Sequence, residues 1–168
     1  IPFRFVTTAH WVFNARFPFN ILTNWGDRTL AVSDDIKNYL VEKYGVHAED
    51  IRVTLNGIDT EKFSAQTDYS AVAKEFGLTE DKTRIVYVSR MDIDRSFAAH
   101  KLIEVAEELD KQIPNLEIVI VGGGNDFETI QTEAEQVNRA VGRDMILLTN
   151  SRTDINRFIA SGDICIGV

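Results

Sequence analysis

Two arginines stand close together in a segment with the composition of an anion site. Arg90 and Arg95 lie between a buried apolar run and the start of a long helical pattern, and they alternate with Asp92 and Asp94. The amino end of a helix carries free N–H groups and a positive dipole, which favour a bound anion. Guanidinium groups match the oxygens of phosphate. On these residues alone, the segment predicts either a phosphate site or a local cluster of Arg–Asp ion pairs.

A second candidate is the glycine run Gly122, Gly123 and Gly124, which follows another apolar run. Glycine lets a backbone approach a ligand closely, so the run is a candidate ligand-proximal loop. It is not the dinucleotide fingerprint, because Phe127 stands where the third glycine of that motif belongs. This argues against an NAD-type dehydrogenase. The local residues alone favour the plainer alternative, a flexible turn.

The third candidate is His10, which follows the opening apolar segment. A lone histidine among aromatic residues is more often packed or bonded to solvent. Trp11 and the phenylalanines near it are interpreted as core rather than as a platform for stacking sugars. His47 and His100 are interpreted as surface residues. The sequence has no Cys/His cluster of metal-ligand spacing, so no metal site is predicted.

The elements that must position these residues alternate between strand and helix. Apolar runs predict strands, and amphipathic spacing with capping residues predicts helices. The predicted strands are 3–7, 28–32, 51–55, 84–89, 116–121, 145–148 and 164–166, and the predicted helices are 34–44, 69–76, 96–112, 126–141 and 153–160. Because the strands are continuously apolar, we predict an α/β fold, a Rossmann-like parallel sheet with helices on both faces. Ligands of such sheets bind beyond the carboxyl ends of the strands, where all three candidates lie.

Composition limits the classes of function. The chain has 168 residues, about one domain by length, and a net charge of −8. The acidic balance argues against a nucleic-acid partner, although a few local arginines suffice for a small phosphate ligand. No apolar run reaches the ~18 residues of a membrane span. The single cysteine, Cys165, lies in an apolar run and is interpreted as a buried thiol in a reducing compartment, which favours the cytoplasm.

Four segments, in order, resemble the family 4 (group 1) glycosyltransferases. They are WGDRTLAVS at 25–33, IRVTLNGIDTEKF at 51–63, VSRMD with the following Arg95 at 88–95, and IVIVGGG at 118–124. Each is weak alone, but together they are specific, and the Asn-Gly-Ile-Asp of the second segment is the most telling. The resemblance implies a two-domain fold in which each half is Rossmann-like. Residues 1–60 would end the N-terminal acceptor-side domain, and 61–168 would form the first half of the C-terminal donor domain.

The resemblance also implies a function. It is that of a retaining glycosyltransferase, of the hexosyltransferase type, which moves a sugar from a nucleotide-sugar donor to an unknown sugar or lipid-linked acceptor without cofactor or metal. Arg90 matches the family's diphosphate-binding arginine, and Arg95 stands where the family usually has lysine. Ser96 replaces the glycine that follows. His10 matches the histidine of a T-x-H segment near the donor sugar, with Trp11 in place of a glycine, and the resemblance implies that His10 is a catalytic residue. The alternative is a non-catalytic nucleotide-binding or interaction module of the same fold.

Both ends of the chain lie in strand-like runs, at Ile1 and at Val168. We therefore interpret the chain as a fragment of a longer protein. The family's paired glutamates, which contact the donor, would lie after Val168, so this chain alone is expected to be inactive. We also expect free strand edges near 3–7 and 164–166 to pair with another copy. For the full-length protein we expect a cytoplasmic location, with a peripheral position at the inner face of the membrane as a variant.

Overall fold

A computed structural model describes residues 3–167, so the parts of the predictions that fall on Ile1, Pro2 and Val168 lie outside the described residues. The chain divides into two compact units, Ile1–Ile58 (unit 1) and Asp59–Val168 (unit 2), although its length alone suggests about one domain. Each unit has its own parallel sheet.

Unit 1 is built on a three-stranded sheet of order β1-β2-β3. Its elements are β1 (Val6–Ala9), α1 (Phe19–Leu22), β2 (Arg28–Ala31), α2 (Asp34–Tyr44), a 3-10 turn at Ala48–Asp50 and β3 (Ile51–Val53). Helix α2 begins and ends as predicted: the Ser33 hydroxyl accepts a bond from the Ile36 amide, and Gly45 ends the helix in the left-handed conformation at φ 67°. Ile36 and Leu40 pack on the sheet.

The amino-terminal segment of unit 1 differs from the prediction. The first strand covers Val6–Ala9 rather than 3–7, and Phe3 is 87% exposed. The prediction of an aromatic core is also wrong, because Trp11 and Phe17 are 71% and 79% exposed, and Trp25 alone of these residues packs against the core. The buried core of unit 1 is small, five residues around α2 and the sheet. A core of this size accommodates Trp25 but leaves Trp11 and Phe17, in the same segment between β1 and β2, exposed.

Unit 2 is built on a four-stranded parallel sheet of order β6-β5-β4-β7. Its strands are β4 (Thr83–Val88), β5 (Leu116–Val121), β6 (Ile146–Thr149) and β7 (Ile164–Ile166); its helices are α3 (Ser70–Phe76), α4 (Phe97–Glu104), α5 (Ala106–Gln112), α6 (Phe127–Val141) and α7 (Ile155–Ser161). In register, Val88 pairs with Val121, and Val121 pairs with Thr149. The carboxyl ends of three strands are therefore level with one another.

Helices cover both faces of this sheet, as predicted. Alternate side chains of β5 point to opposite faces: Ile118 and Ile120 belong to the core beneath α4, α5 and α6, whereas Val119 and Val121 pack with Val72 of α3 and Phe158 of α7. All six residues of β5 are buried. Burial on two faces explains why the strand reads as one continuous apolar run.

Two local predictions for unit 2 are wrong. The helix predicted over 96–112 is two helices, α4 and α5, which meet at Val105. Val105 is 45% exposed, and the inward residue at this point is Ala106, which continues the helical spacing of Ala99 and Ile103. The break falls at Val105, whose β-branched side chain is stiff in a helix. Cys165, predicted to be buried, is exposed because β7 is the edge strand of the described sheet. Partial burial still raises the pKa of its thiol.

An ion pair lies buried at the amino end of the sheet, opposite to the candidate site. Glu117 of β5 is fully buried, and its carboxylate accepts bonds from Arg84 Nε at 2.6 Å and from Lys82 Nζ at 2.5 Å. Arg84, 3% exposed, also donates to the carbonyl oxygens of Ser161 at 2.7 Å and Thr79 at 2.8 Å. The sequence pattern gives no sign of this pair, because Glu117 sits inside an apolar run.

Candidate functional site

The order of the strands in unit 2 reverses direction at β4. From β4 the chain moves outward to β5 and β6, and it then crosses back to place β7 on the other side of β4. Ligands of open parallel sheets bind at such a reversal, outside the carboxyl ends of the strands. The segment that follows β4 is 89–96, which carries both Arg90 and Arg95. The fold therefore delivers the predicted arginines to the position where a ligand is expected.

The glycine run supports this segment by close packing. Gly122 has φ 150°, and a Cβ atom there would lie 1.8 Å from the carbonyl oxygen of Ser89. A Cβ atom at Gly124 would lie 2.3 Å from the carbonyl oxygen of Met91. The Met91 amide donates to the carbonyl of Gly123 at 3.0 Å. The interpretation of the run as a flexible turn is therefore wrong, because these glycines hold the backbone of the arginine segment.

The two arginines are exposed and weakly paired. Arg90 Nε lies 3.9 Å from Asp92, and Arg95 Nε lies 3.7 Å from Asp94, both near the outer limit of an ion pair. The two arginine side chains are 62% and 55% exposed. The local pairing that the sequence left open does occur, but exposed pairs of this kind contribute only about 0–1 kcal/mol. Both guanidinium groups are thus available to an anion at little cost.

The amino end of α4 adds backbone hydrogen-bond donors to the segment. Ser96 occupies the N-cap position, but its hydroxyl does not cap the helix. It donates instead to the Asp126 carboxylate at 2.5 Å. The first amides of α4 therefore keep no side-chain cap. Two guanidinium groups and the uncapped end of a helix on one short segment form an arrangement that can bind the oxygens of a phosphate or diphosphate.

His10 lies in the other unit. It is exposed and directly follows the buried Ala9, so it stands just past the carboxyl end of β1 in the sheet of unit 1. The arginines and glycines are described within unit 2. The structure thus brings together the arginine segment and the glycine run, and it places His10 at the corresponding end of the separate sheet.

Sequence reasoning missed a cluster around His100, interpreted above as a surface residue. Its Nε2 lies 2.8 Å from Asp126, and its Nδ1 lies 2.6 Å from Glu133. Hydrogen bonds to Asp126 and then to Glu133 raise the pKa of His100, while those from Ser96 and His100 lower the pKa of Asp126. Asp126 is the N-cap residue of α6 and Glu133 lies about two turns later, which is a visible signal, but the approach of α4 is a tertiary contact that periodicity does not reveal.

Two further findings concern metals and membranes. Among residues 3–167, no group of three or more His, Cys, Asp or Glu side chains is arranged to hold a metal ion. In the same part of the chain, none of the helices combines the length and apolar character that a membrane crossing requires.

Comparison with known families is decisive for the class of protein. Residues 69–166, more than half of the chain, match the family "Glycosyl transferases group 1". The chain belongs to this glycosyltransferase family. Residues 2–62 match a second family, "Glycosyltransferase Family 4". The resemblance drawn from the four sequence segments is confirmed.

Individual relatives of this glycosyltransferase chain agree. A D-inositol 3-phosphate glycosyltransferase of Kribbella flavida is 31% identical in an alignment of 119 residues that covers 67% of this chain and 27% of the relative. A glycosyltransferase of Rickettsia africae has a similar fold, with a TM-score of 0.76 at 20% identity over 96% of this chain and 44% of that one. Anabaena HepE, solved with UDP and glucose, gives 0.69 at 19% identity over 95% and 45%. The chain thus spans less than half the length of these relatives.

Proposed function

We propose that the protein carrying this chain transfers a sugar from a nucleotide-sugar donor, and that the segment after β4 binds the donor's diphosphate. The observation that carries the proposal is the geometry of unit 2. The glycine run holds the backbone of residues 89–91, and Arg90 and Arg95 remain exposed beside the uncapped end of α4. Membership of the glycosyltransferase family supports the reaction class. The UDP-bound structures of Anabaena HepE support a nucleotide ligand.

In this proposal Arg90 and Arg95 act on the leaving group. When the bond between the sugar and the diphosphate breaks, negative charge grows on the phosphate oxygens. Donors fixed in advance at that position stabilise the transition state more than the ground state. The guanidinium groups and the amides of α4 supply those donors. The positive charge that they provide makes a metal or cofactor unnecessary in the proposed reaction.

Gly122, Gly123 and Gly124 act as the nucleotide-proximal loop. Their direct role is to let the chain after β5 pack on the arginine segment, as the short Cβ distances require. A bulkier residue would push that segment away from the carboxyl end of β4. We assign unit 2 to the donor side of the enzyme and unit 1 to the acceptor side, with His10 as a catalytic residue close to the transferred sugar. The acceptor is proposed to be a sugar or a lipid-linked sugar, and the transfer to retain the anomeric configuration.

Calorimetric titration of UDP, GDP, ADP and NAD into the chain tests the donor site. A nucleoside diphosphate should bind, and NAD should not. A charge-assisted hydrogen bond contributes about 1.5–3 kcal/mol, so Arg90→Ala should raise the Kd for the diphosphate roughly 10- to 150-fold at ~1.4 kcal/mol per decade. Arg95→Lys should have a much smaller effect, because lysine keeps the charge.

The matched control is Arg139→Ala, which removes an arginine of α6 that is 68% exposed and pairs with Glu135 at 3.9 Å. It changes the net charge equally but lies away from the segment after β4, so the Kd should not move. If Arg90→Ala instead lowers the melting temperature and leaves the Kd unchanged, the arginine is structural and the proposed diphosphate site is wrong. The stereochemistry is tested separately, by NMR of the anomeric proton in the product of the full-length protein.

A further inference from the structure

We propose that His100 is a positioning residue for the diphosphate site: as an imidazolium bridging Asp126 and Glu133, it holds the segment 91–96 in place and makes anion binding depend on pH. The ligand in this inference rests on the proposed function. The role of His100 in holding the segment 91–96 is independent of the proposed function, because it follows from contacts within unit 2. His100 lies on α4, one turn after Ser96, so it sits behind the arginine segment rather than in contact with the anion.

The number of hydrogen-bond donors determines the charge of His100. Its two ring nitrogens face carboxylate oxygens at 2.8 Å and 2.6 Å. An ionised carboxylate only accepts hydrogen bonds, and a neutral imidazole has a single N–H. Only the imidazolium has a donor for each carboxylate. The geometry of Asp126 and Glu133 therefore favours a protonated ring.

The bridge is connected to the backbone that carries the arginines. The Asp126 carboxylate accepts bonds from both His100 and Ser96, and the Asp126 amide donates to the carbonyl of Met91 at 2.9 Å. Next to it, the Asn125 side chain accepts from the Ile93 amide at 3.0 Å. The residues at the start of α6 thus form hydrogen bonds with the segment 91–96 at both of its ends and near its middle. His100 neutralises Asp126 and fixes its orientation.

The direction of the pH effect follows from the charges around the ring. Asp126 and Glu133 are the charged groups in contact with it among the described residues, and Lys101, its neighbour on α4, is turned to Glu104. Both carboxylates raise the pKa of His100 above the ordinary 6.5. The stabilisation is therefore complete below the ordinary pKa and is lost as the pH rises through the higher, folded value. Above it, a lone pair of the ring faces a carboxylate and the bridge opens.

NMR tests the bridge without any ligand. The chain has three histidines, so the imidazole signal of His100 is identified by its loss in His100→Gln. Its pKa should lie above the ordinary value and should fall in Glu133→Gln. Amide exchange, corrected for intrinsic rates, should show that protection of Ile93 and Ser96 falls roughly fivefold or more in His100→Gln. Protection of β5 amides should not change.

Binding of UDP, with His100→Arg as a second variant, tests the consequence. Gln remains neutral, whereas Arg keeps a cation with several donors at every pH. In the wild-type chain the Kd for UDP should rise between pH 6 and pH 9. About 5- to 10-fold of that rise should be absent in both variants, because the charge at position 100 no longer changes with pH. His100→Arg should bind like the low-pH form, and His100→Gln like the high-pH form. Titration of the UDP phosphate itself affects both variants equally and so serves as the baseline.

The outcomes separate the two proposals. Unchanged protection of Ile93 and Ser96 in His100→Gln, or an unraised pKa, overturns the inference about His100. Wild-type chain that binds no nucleoside diphosphate at any pH overturns the proposed function, and the exchange data then decide the positioning role by themselves. If Gln and Arg variants show the same affinity at pH 9, the charge of the bridge does not control the site and the pH dependence is refuted.

Discussion

Replacing Arg84 by methionine should destabilise unit 2 while leaving unit 1 intact. The substitution removes three hydrogen bonds, to Glu117, Ser161 and Thr79, and leaves the fully buried carboxylate with only Lys82. Breaking a buried ion pair by removing one partner costs about 3–5 kcal/mol. Because Lys82 still compensates part of the charge, we expect the lower end, about 3 kcal/mol. With an m-value of about 1.5 kcal/mol per molar urea, the midpoint of unfolding should fall by about 2 M.

The chain offers an internal control for this measurement. Both tryptophans, Trp11 and Trp25, belong to unit 1. Tryptophan fluorescence therefore follows the unfolding of unit 1, whereas far-UV circular dichroism is dominated by the five helices of unit 2. In Arg84→Met the urea midpoint measured by circular dichroism should fall, and the midpoint measured by fluorescence should not change. Arg139→Met is the matched variant, since its exposed pair contributes only about 0–1 kcal/mol.

The double variant Arg84→Met with Glu117→Leu sharpens the test. Removing both charges leaves no orphaned carboxylate, so most of the lost stability should return. A circular dichroism midpoint for Arg84→Met within about 0.5 M of the wild type would refute the reasoning, because it would mean that the buried pair contributes little to the folding of unit 2.

Three further outcomes are expected. Gly122→Ala should destabilise unit 2 by more than about 3 kcal/mol, because its Cβ would lie 1.8 Å from a backbone oxygen, whereas Gly57→Ala, in open space, should leave the thermal melt unchanged. Ser33→Ala should lower the free energy of unfolding of unit 1, followed by tryptophan fluorescence, by about 1 kcal/mol, because the α2 cap is lost. An equal shift of the circular dichroism and fluorescence midpoints would contradict the division into two units. The free edges of β1 and β7 predict self-association that grows with concentration, and a monomer throughout a sedimentation-velocity series would count against it.

Much of unit 2 could be predicted from the sequence because its signals are local. Continuous apolar runs identify β4 and β5, and glycines end α3 and α6 in the left-handed conformation. The site segments follow directly, since Arg90 and the glycine run come immediately after those strands. A parallel sheet aligns such segments at one edge without further information.

The remainder depends on contacts between elements that are distant in the chain. The bridge at His100 exists only because α4 meets α6, and the Glu117 carboxylate is tolerated only because Arg84 of the neighbouring strand reaches it. Neither contact produces a sequence pattern in its own segment that would predict it. The exposed Trp11 shows the opposite error: the aromatic sequence predicts a core residue, but the small core of unit 1 does not include it.

The central position of β4 has a consequence for how the protein is made. Its contacts with β5 span about 33 residues of chain, as between Arg84 and Glu117, but its contacts near β7 span 79, as between Arg84 and Asp163. Ribosomes add ~5–20 residues per second, so one edge of β4 waits several seconds longer for its partner strand than the other edge does. Long loops also close slowly, which delays this pairing further. During that interval β4 exposes an apolar edge. A chaperone can bind the nascent chain in this state, and it is also the state in which strands of two copies could pair wrongly.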